Sequence, residues 1–241
     1  MRPARPWSLE STFRFLALLP LAVALSGLLI EVARRGAGVP PSHRPAWLMV
    51  TGTGVVHVCA MALVAYLVRA HQFSWREAFG LLAPGWPRSW AKALAATVPA
   101  TLVAWGLLQI STWALDQLGM PQSSQAAVEA VRNAAHTWER ALLFLFAVIT
   151  APIVEEFIFR GVLWPFLRDR GLRLSGSLGV AVLFGIIHGS LPALASLVFL
   201  GLFWIWLYER TGDLTTTMVS HALFNLTNFV WLLMTMESAP A

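Results

Sequence analysis

The stretch TAPIVEEFIFRG, residues 150–161, is the part of this chain that decides its fold. It places two adjacent glutamates, Glu155 and Glu156, inside an otherwise apolar helical run, and Arg160 follows Glu156 by four residues. A charged side chain at the centre of a membrane helix costs roughly 2.5–3.5 kcal/mol on insertion scales. Because two carboxylates in succession are costly there, the stretch predicts a functional site within a membrane-spanning helix.

The composition is that of a membrane protein. The chain has 241 residues, of which 57% are hydrophobic and 12% are charged, and its mean hydropathy is +0.66. Soluble domains carry about 25% charged residues, and an apolar run of about 18 residues can cross a bilayer. We therefore predict an all-α, polytopic integral membrane protein with about seven transmembrane helices, in a range of about six to eight. These spans are expected near residues 13–32, 46–68, 91–115, 139–170, 174–188, 193–209 and 214–236.

The polar connections divide the chain into two regions and a tail. Residues 1–138 are predicted to hold N-terminal membrane helices, with an interfacial helix near 73–82 and a polar helical segment at 116–139. That last segment is either a surface helix or a lid over the site. Residues 139–236 hold the last four membrane helices, where we expect the active-site core, and 237–241 form the tail.

The positive charge of the chain indicates orientation in a bilayer rather than nucleic-acid binding. The formal net charge is +5, but the arginines and the single lysine, Lys92, lie between the apolar runs. Cytoplasmic loops of membrane proteins are rich in Arg and Lys, and a cytoplasmic N-terminus places most of these residues on that side. We therefore expect an integral protein of the bacterial inner membrane that contacts lipid and binds no nucleic acid. The lone Cys59 excludes an internal disulfide.

Polar residues recur inside the last apolar helices. Glu155 and His188 lie 16 and 17 residues on either side of Gly171. An antiparallel helical hairpin that turns at Gly171 brings their side chains level, so that they can share a hydrogen bond. His221 and Asn225 are spaced four residues apart and lie on one face of the last helix. All four side chains can therefore meet in one cavity.

Each of these residue types suits a step of amide hydrolysis. A buried glutamate beside a histidine can take a proton from water as a general base, which points to Glu155 with His188. Two N–H donors that converge on one point can stabilise an oxyanion, which is a role for the pair on the last helix. Glu156 faces Arg160 one turn on, and we interpret these two as an ion pair that supports the helix. Arg160 could also bind a substrate carboxylate.

Three short motifs carry a family resemblance. EEFIFR at residues 155–160, FGIIH at 184–188 and HALFN at 221–225 follow, in this order, the patterns EExxxR, FxxxH and HxxxN/B. The chain thus resembles the CPBP family, which groups type II CAAX prenyl endopeptidases with bacterial bacteriocin-processing and immunity-type membrane proteins. The resemblance covers about residues 139–230.

The resemblance implies a metal-independent, glutamic-type intramembrane endopeptidase. It assigns Glu155 and His188 to water activation, and His221 and Asn225 to the oxyanion hole. The substrate is expected to be a membrane-anchored or hydrophobic peptide or protein, because no feature of the sequence recognises a prenyl group. No cofactor is expected.

Other functions remain open from the sequence. Glutamate and histidine are acceptable zinc ligands, so a zinc-dependent membrane protease is one alternative, although HExxH is absent and asparagine is a poor ligand. A non-catalytic immunity factor or partner-binding scaffold is another. A proton-coupled transporter also uses intramembrane Glu and His, but the chain has no internal repeat of the kind found in transporters.

Overall fold

The structure is a computed structural model that describes residues 7–40, 45–120 and 124–237, the last without the side chain of Glu237. The predicted tail therefore lies outside the described residues, apart from the backbone of Glu237. The described residues form helices and no strand. In chain order the helices are α1 (Leu9–Gly36), α2 (Ala46–Ala70), α3 (Trp75–Phe79), α4 (Trp86–Gln117), α5 (Ala126–Asn133), α6 (Thr137–Arg168), α7 (Arg173–Ile187), α8 (Leu194–Thr211) and α9 (Leu214–Glu237).

Five helices of the described chain are long and apolar enough to cross a membrane, namely α1, α2, α4, α6 and α8. Each of the seven predicted spans is present as a helix, but two do not reach that standard. Helix α7, with 15 residues, is too short. Helix α9 has 24 residues, but the polar residues His221, Asn225 and Asn228 make it less apolar. The all-α, polytopic class is confirmed, and the chain is an integral membrane protein.

Helix α6 lies at the centre of the packing. Every residue of its segment Phe157–Leu163 is buried, and this segment contacts α2, α3, α7, α8 and α9. Helix α7 packs on α8, and α4 packs on both α8 and α9. Helix α1 packs on α2, while side chains on its other face, such as Phe13 and Leu28, are exposed. That apolar outer face suits contact with lipid, and the inner helices surround α6.

A short helix, α3, forms where the sequence predicts an interfacial helix, and its place at the interface stays a prediction. Ser74 accepts a hydrogen bond from the backbone N–H of Glu77, and the Glu77 side chain accepts one from the backbone of Ser74. This capping box begins the helix, and Gly80, with φ of 65°, ends it. A Cβ atom at Gly80 would collide with the carbonyl oxygen of Gly212, in the turn between α8 and α9. Glycine is therefore needed there both for its backbone conformation and for the close approach.

The two loops around the candidate core partly match the prediction. Gly171, with φ of 82°, lies in the turn between α6 and α7, where the hairpin was expected to turn. The polar segment at 116–139 contains α5 and the start of α6, while residues 121–123 lie outside the described chain. A lid function for this segment stays a prediction.

Candidate active site

Helix α6 carries two π-helical segments, and the glutamate pair lies between them. The first covers Leu145–Thr150, the second covers Phe157–Leu163, and the α-helical turn Ala151–Glu156 separates them. In a π-helix the carbonyl of residue i accepts from the N–H of residue i+5, and such segments inside α-helices often occur at functional sites. The wider turn changes which carbonyl groups need partners from outside the helix.

The first π segment leaves one carbonyl group to a side chain of α9. The N–H of Ala151 bonds to the carbonyl of Phe146 in the i+5 register, so the next carbonyl, that of Ala147, faces the nitrogen of Pro152. Proline has no N–H to donate. The Nδ2 atom of Asn225 donates to the Ala147 carbonyl instead, over 2.7 Å. Asn225 thereby joins α9 to α6 just before the glutamates.

A side chain from the N-terminal part of the chain also bonds to a carbonyl of the second π segment. The carbonyl of Gly161, within this segment, accepts a hydrogen bond from the indole Nε1 of Trp7 over 2.9 Å. Trp7 is 2% exposed, and its own carbonyl accepts from Arg170. Trp7, just before α1, is therefore anchored on the central helix.

The predicted ion pair between Glu156 and Arg160 is present and fully buried. The Nη1 atom of Arg160 donates to Oε1 of Glu156 over 3.0 Å, and both side chains are 0% exposed. The Nη2 atom of Arg160 donates to the carbonyl of Gly201 in α8 over 3.1 Å. The guanidinium group also lies over the rings of Phe184 and Trp204, at 4.9 and 5.1 Å from their centroids. Buried charge is thus paired, hydrogen-bonded and shielded by aromatic rings.

His221 lies between the two glutamates. Its Nδ1 atom is 3.0 Å from Oε1 of Glu156, and its Nε2 atom is 3.8 Å from Oε2 of Glu155. A carboxylate paired with a guanidinium accepts hydrogen bonds and has none to donate, so Nδ1 of His221 is the donor to Glu156. The interpretation of Glu156 as a partner of Arg160 alone was therefore incomplete, since the same oxygen also holds His221.

The two glutamates differ in their access to small molecules. The Glu155 side chain keeps 20% of its surface exposed, whereas that of Glu156 has 0%. Successive side chains on a helix point in directions about 100° apart, which places one carboxylate at the edge of the cluster and the other inside it. Glu155 is therefore the carboxylate that water and a substrate can reach.

His188 follows α7 and does not make the predicted hydrogen bond. Its Nδ1 atom donates to the carbonyl of Phe184 over 2.6 Å, and its ring packs on that of Phe184 with centroids 4.7 Å apart. Among the described residues no hydrogen bond joins His188 to Glu155, which lies beside His221 instead. The hairpin turns near Gly171 as expected, but the rotation of each helix about its axis selects a different neighbour.

The two predicted oxyanion donors are both on α9, with different surroundings. His221 is 2% exposed and its Nδ1 atom is committed to Glu156. Asn225 uses one N–H of its amide on the carbonyl of Ala147, and an amide has two. The arrangement leaves Nε2 of His221 and the second N–H of Asn225 as the groups that can act on a substrate.

The sequence interpretation missed a set of residues that supports His221. The indole ring of Trp204 stacks on the imidazole, with centroids 3.9 Å apart and 22° between the planes. Its Nε1 atom donates to Oγ of Ser220, which lies 2.7 Å from Oγ1 of Thr97. A tryptophan in an apolar helix gives no sign of this role. The hydroxyl groups within the apolar runs of α4 and α9 were the one feature of the sequence that could have indicated this support.

Two further features concern a possible metal site and the space around the candidate residues. Among the described residues, no group of three or more His, Cys, Asp or Glu side chains is placed to hold a metal ion. An open cavity of about 410 Å³ lies beside the loop that follows His188, with none of the candidate residues in its lining. The lining residues are mainly apolar: Ser111, Leu115, Leu191, Leu194, Ala195 and Val198.

Comparison with known proteins agrees with the motifs. Residues 137–227 match the family model described as Type II CAAX prenyl endopeptidase Rce1-like. This match supports the similarity of residues 137–227 to the CPBP family. A Bacillus subtilis (strain 168) protein named "Putative membrane peptidase YdiL" is 30% identical over 84 residues, which are 35% of this chain and 34% of that protein. The chain thus covers about a third of the length of this curated relative. No solved structure matches the chain.

The family-matched region contains the whole candidate site. The matched region begins with α6 and ends within α9, so all six predicted site residues fall inside it, as do Trp204 and Ser220. Trp7 and Thr97 contact this core from the N-terminal part of the chain. The predicted resemblance to the CPBP family is confirmed, while the division of the chain into two regions stays a prediction.

Proposed function

We propose that this chain is a glutamic-type intramembrane endopeptidase that hydrolyses a peptide bond of a membrane-associated protein or peptide. The observation that carries the proposal is the partly exposed Glu155 beside Nε2 of His221, within the region that matches the family. A partly exposed carboxylate at the edge of a buried polar cluster suits a general base. The fully buried Glu156 and Arg160 suit structural support.

The proposed reaction needs one water molecule. Glu155 takes a proton from that water. The water oxygen attacks the carbonyl carbon of the substrate, and a tetrahedral oxyanion forms. The C–N bond then breaks, and the leaving amine takes the proton from Glu155. The second N–H of Asn225 is proposed as an oxyanion donor, together with Nε2 of His221 in its imidazolium form, in which both ring nitrogens carry a proton. His188 is proposed to orient the water, since its ring is held by the carbonyl of Phe184.

The proposed substrate is a hydrophobic or membrane-anchored peptide. The core lies among helices that can cross a membrane, and the largely apolar cavity beside the loop after His188 suits an apolar side chain or tail. No metal or other cofactor is part of the proposal, and zinc remains the alternative. We also propose the bacterial inner membrane as the location and a cytoplasmic N-terminus, from the distribution of arginines.

A comparison of membrane peptides tests this function. Cells that express the wild-type chain, Glu155→Gln or Glu31→Gln are compared by quantitative mass spectrometry of membrane peptides. Glu31 lies on α1 in a surface ion pair with Arg34, so Glu31→Gln is a matched control for the loss of one charge. We expect at least one uncleaved precursor to accumulate with Glu155→Gln and not with Glu31→Gln.

The same variants separate the catalytic function from a scaffold. A non-catalytic immunity-type or partner-binding protein would keep its biological effect after Glu155→Gln, because the shape of the residue is preserved. Identical peptide patterns in all three strains, together with an unchanged biological effect, would contradict the endopeptidase.

A further inference from the structure

Trp204 is the largest side chain in contact with the ring of His221. It lies in α8, is 0% exposed, and stacks on the imidazole with centroids 3.9 Å apart and an interplanar angle of 22°. Phe184 meets the same imidazole at an edge, with centroids 5.9 Å apart. Two rings from two other helices therefore enclose a histidine that projects from α9.

A hydrogen bond alone does not fix the plane of an imidazole. The bond from Nδ1 of His221 to Glu156 holds one atom of the ring, but the angular tolerance of a hydrogen bond still lets the ring rock about its Cβ–Cγ bond. Such a turn would swing Nε2 away from its position 3.8 Å from Oε2 of Glu155. A flat partner against one face of the ring prevents the turn, and the indole of Trp204 is that partner.

Trp204 is itself held by a continuous chain of hydrogen bonds. Oγ1 of Thr97 donates to the carbonyl of Ala93 over 2.7 Å, because a carbonyl can only accept. The hydroxyl group of Ser220 must then donate to Oγ1 of Thr97, over 2.7 Å, and it accepts from the indole N–H of Trp204 over 3.0 Å. The chain has one consistent direction and ends on the backbone of α4. The plane of the indole is thus fixed from outside the family-matched region.

We propose that Trp204 is a positioning residue for the reaction: it holds the plane of His221 so that Nε2 stays directed at Glu155 and the substrate. This inference rests on the proposed function, in which His221 acts on the reacting peptide. Misplacement of a reacting group by about 1 Å can cost roughly 100-fold in rate. Loss of the stacked ring should therefore reduce turnover much more than substrate binding.

The test compares Trp204→Leu and Trp204→Phe with Trp164→Leu in the full chain in detergent micelles. Trp164 is a similarly buried tryptophan of the same core, 3% exposed. Its indole N–H donates to Glu209, and its ring does not stack on His221. One measurement is cleavage of fluorescein-labelled casein, or of the membrane peptide identified with Glu155→Gln if casein is not cleaved. We expect Trp204→Leu to lower kcat by roughly 10- to 100-fold with KM within about twofold, and Trp204→Phe to keep most of the turnover.

The second measurement does not depend on proteolysis. Nuclear magnetic resonance relaxation of ¹³C-labelled histidine rings reports how rigid the His221 ring is, with its signals assigned by His221→Gln. We expect an order parameter near 0.85 for His221 in the wild type and in Trp164→Leu, and a value towards 0.6 in Trp204→Leu. If the wild type cleaves nothing, the proposed function fails, while the ring measurement still decides whether Trp204 positions His221.

Two milder variants keep the proposal open to contradiction if Trp204→Leu does not fold. Ser220→Ala removes the acceptor of the indole N–H and leaves the stack in place, so it should loosen the His221 ring partially. Thr97→Ser keeps the hydroxyl group and should behave as the wild type. The proposal is overturned if the His221 ring in Trp204→Leu is as rigid as in the wild type. If only Ser220→Ala folds, the same result in that variant overturns it. A loosened ring that leaves kcat unchanged would also overturn it.

Discussion

His221 and Glu156 are joined by a hydrogen bond of 3.0 Å from Nδ1 to Oε1, and the same oxygen accepts from Arg160. One carboxylate oxygen therefore holds both the arginine that balances its charge and the histidine that faces Glu155. Such a carboxylate orients the imidazole and keeps a proton on Nδ1. Glu156 is consequently tied both to stability and to the proposed chemistry.

Glu155→Gln should abolish activity with the fold intact. The side chain is 20% exposed and meets His221 only at 3.8 Å, so the amide fits the same space, but it cannot accept the proton of water. We expect turnover to fall by roughly 10²–10⁴-fold, as for loss of a general base. Cleavage of the identified membrane peptide measures this, and thermal unfolding in detergent should give a midpoint equal to that of the wild type. A variant that stays active would remove Glu155 from its role.

Glu156→Leu should destabilise the protein strongly. It leaves Arg160 buried without its partner, which costs about 3–5 kcal/mol for a buried pair. The double variant Glu156→Leu, Arg160→Leu should recover much of this stability, because apolar residues can replace a buried ion pair. Its activity should stay low, since His221 still lacks the acceptor for Nδ1. Unfolding curves and cleavage rates of both variants separate the two effects, and full activity in the double variant would contradict the role of Glu156.

Asn225→Leu should affect both the fold and the reaction. The carbonyl of Ala147 loses its donor, at a cost of about 1–3 kcal/mol for an unsatisfied buried group. Adding Pro152→Ala returns a backbone N–H to that turn and should restore stability. Turnover should remain roughly 10²–10³-fold low, as for loss of an oxyanion donor. If Pro152→Ala rescued turnover as well as the unfolding midpoint, Asn225 would be purely structural.

Trp7→Phe should lower stability although Trp7 lies far from the motifs in sequence. The indole donates to the carbonyl of Gly161, next to Arg160, and its loss should cost about 1–3 kcal/mol. Trp138 is 56% exposed, so Trp138→Phe is the matched control and should change stability by less than about 0.5 kcal/mol. Equal unfolding midpoints for the two variants would show that the Trp7 anchor does not stabilise the core.

Exhaustive chelation should leave the activity of the purified protein unchanged. The proposed mechanism uses a carboxylate to activate water and needs no Lewis acid, so removal of divalent ions has no target in it. The measurement is cleavage of the same peptide before and after treatment with a strong zinc chelator, with a known zinc protease as the positive control. Loss of activity that returns on addition of zinc would favour the zinc-dependent alternative.

The sequence by itself determined the class of protein and the candidate residues. Long apolar runs predict membrane helices because the bilayer excludes unpaired backbone groups, and the seven expected spans are all helices. Charged side chains are so costly in such helices that Glu155, Glu156 and Arg160 were recognisable at once. The spacing of Glu156 and Arg160 also predicted their ion pair, since residues four apart on a helix face each other.

Only the tertiary structure decided how these residues pair across helices. Sequence spacing gives the depth of a side chain but not the rotation of each helix about its axis, so it placed His188 rather than His221 beside Glu155. The π segments shift the register within α6, and the carbonyl groups of Ala147 and Gly161 accept hydrogen bonds from Asn225 and Trp7, which are distant in sequence. The stack of Trp204 on His221 depends on the crossing of α8 and α9, because contacts between separate helices arise only when all of them pack together.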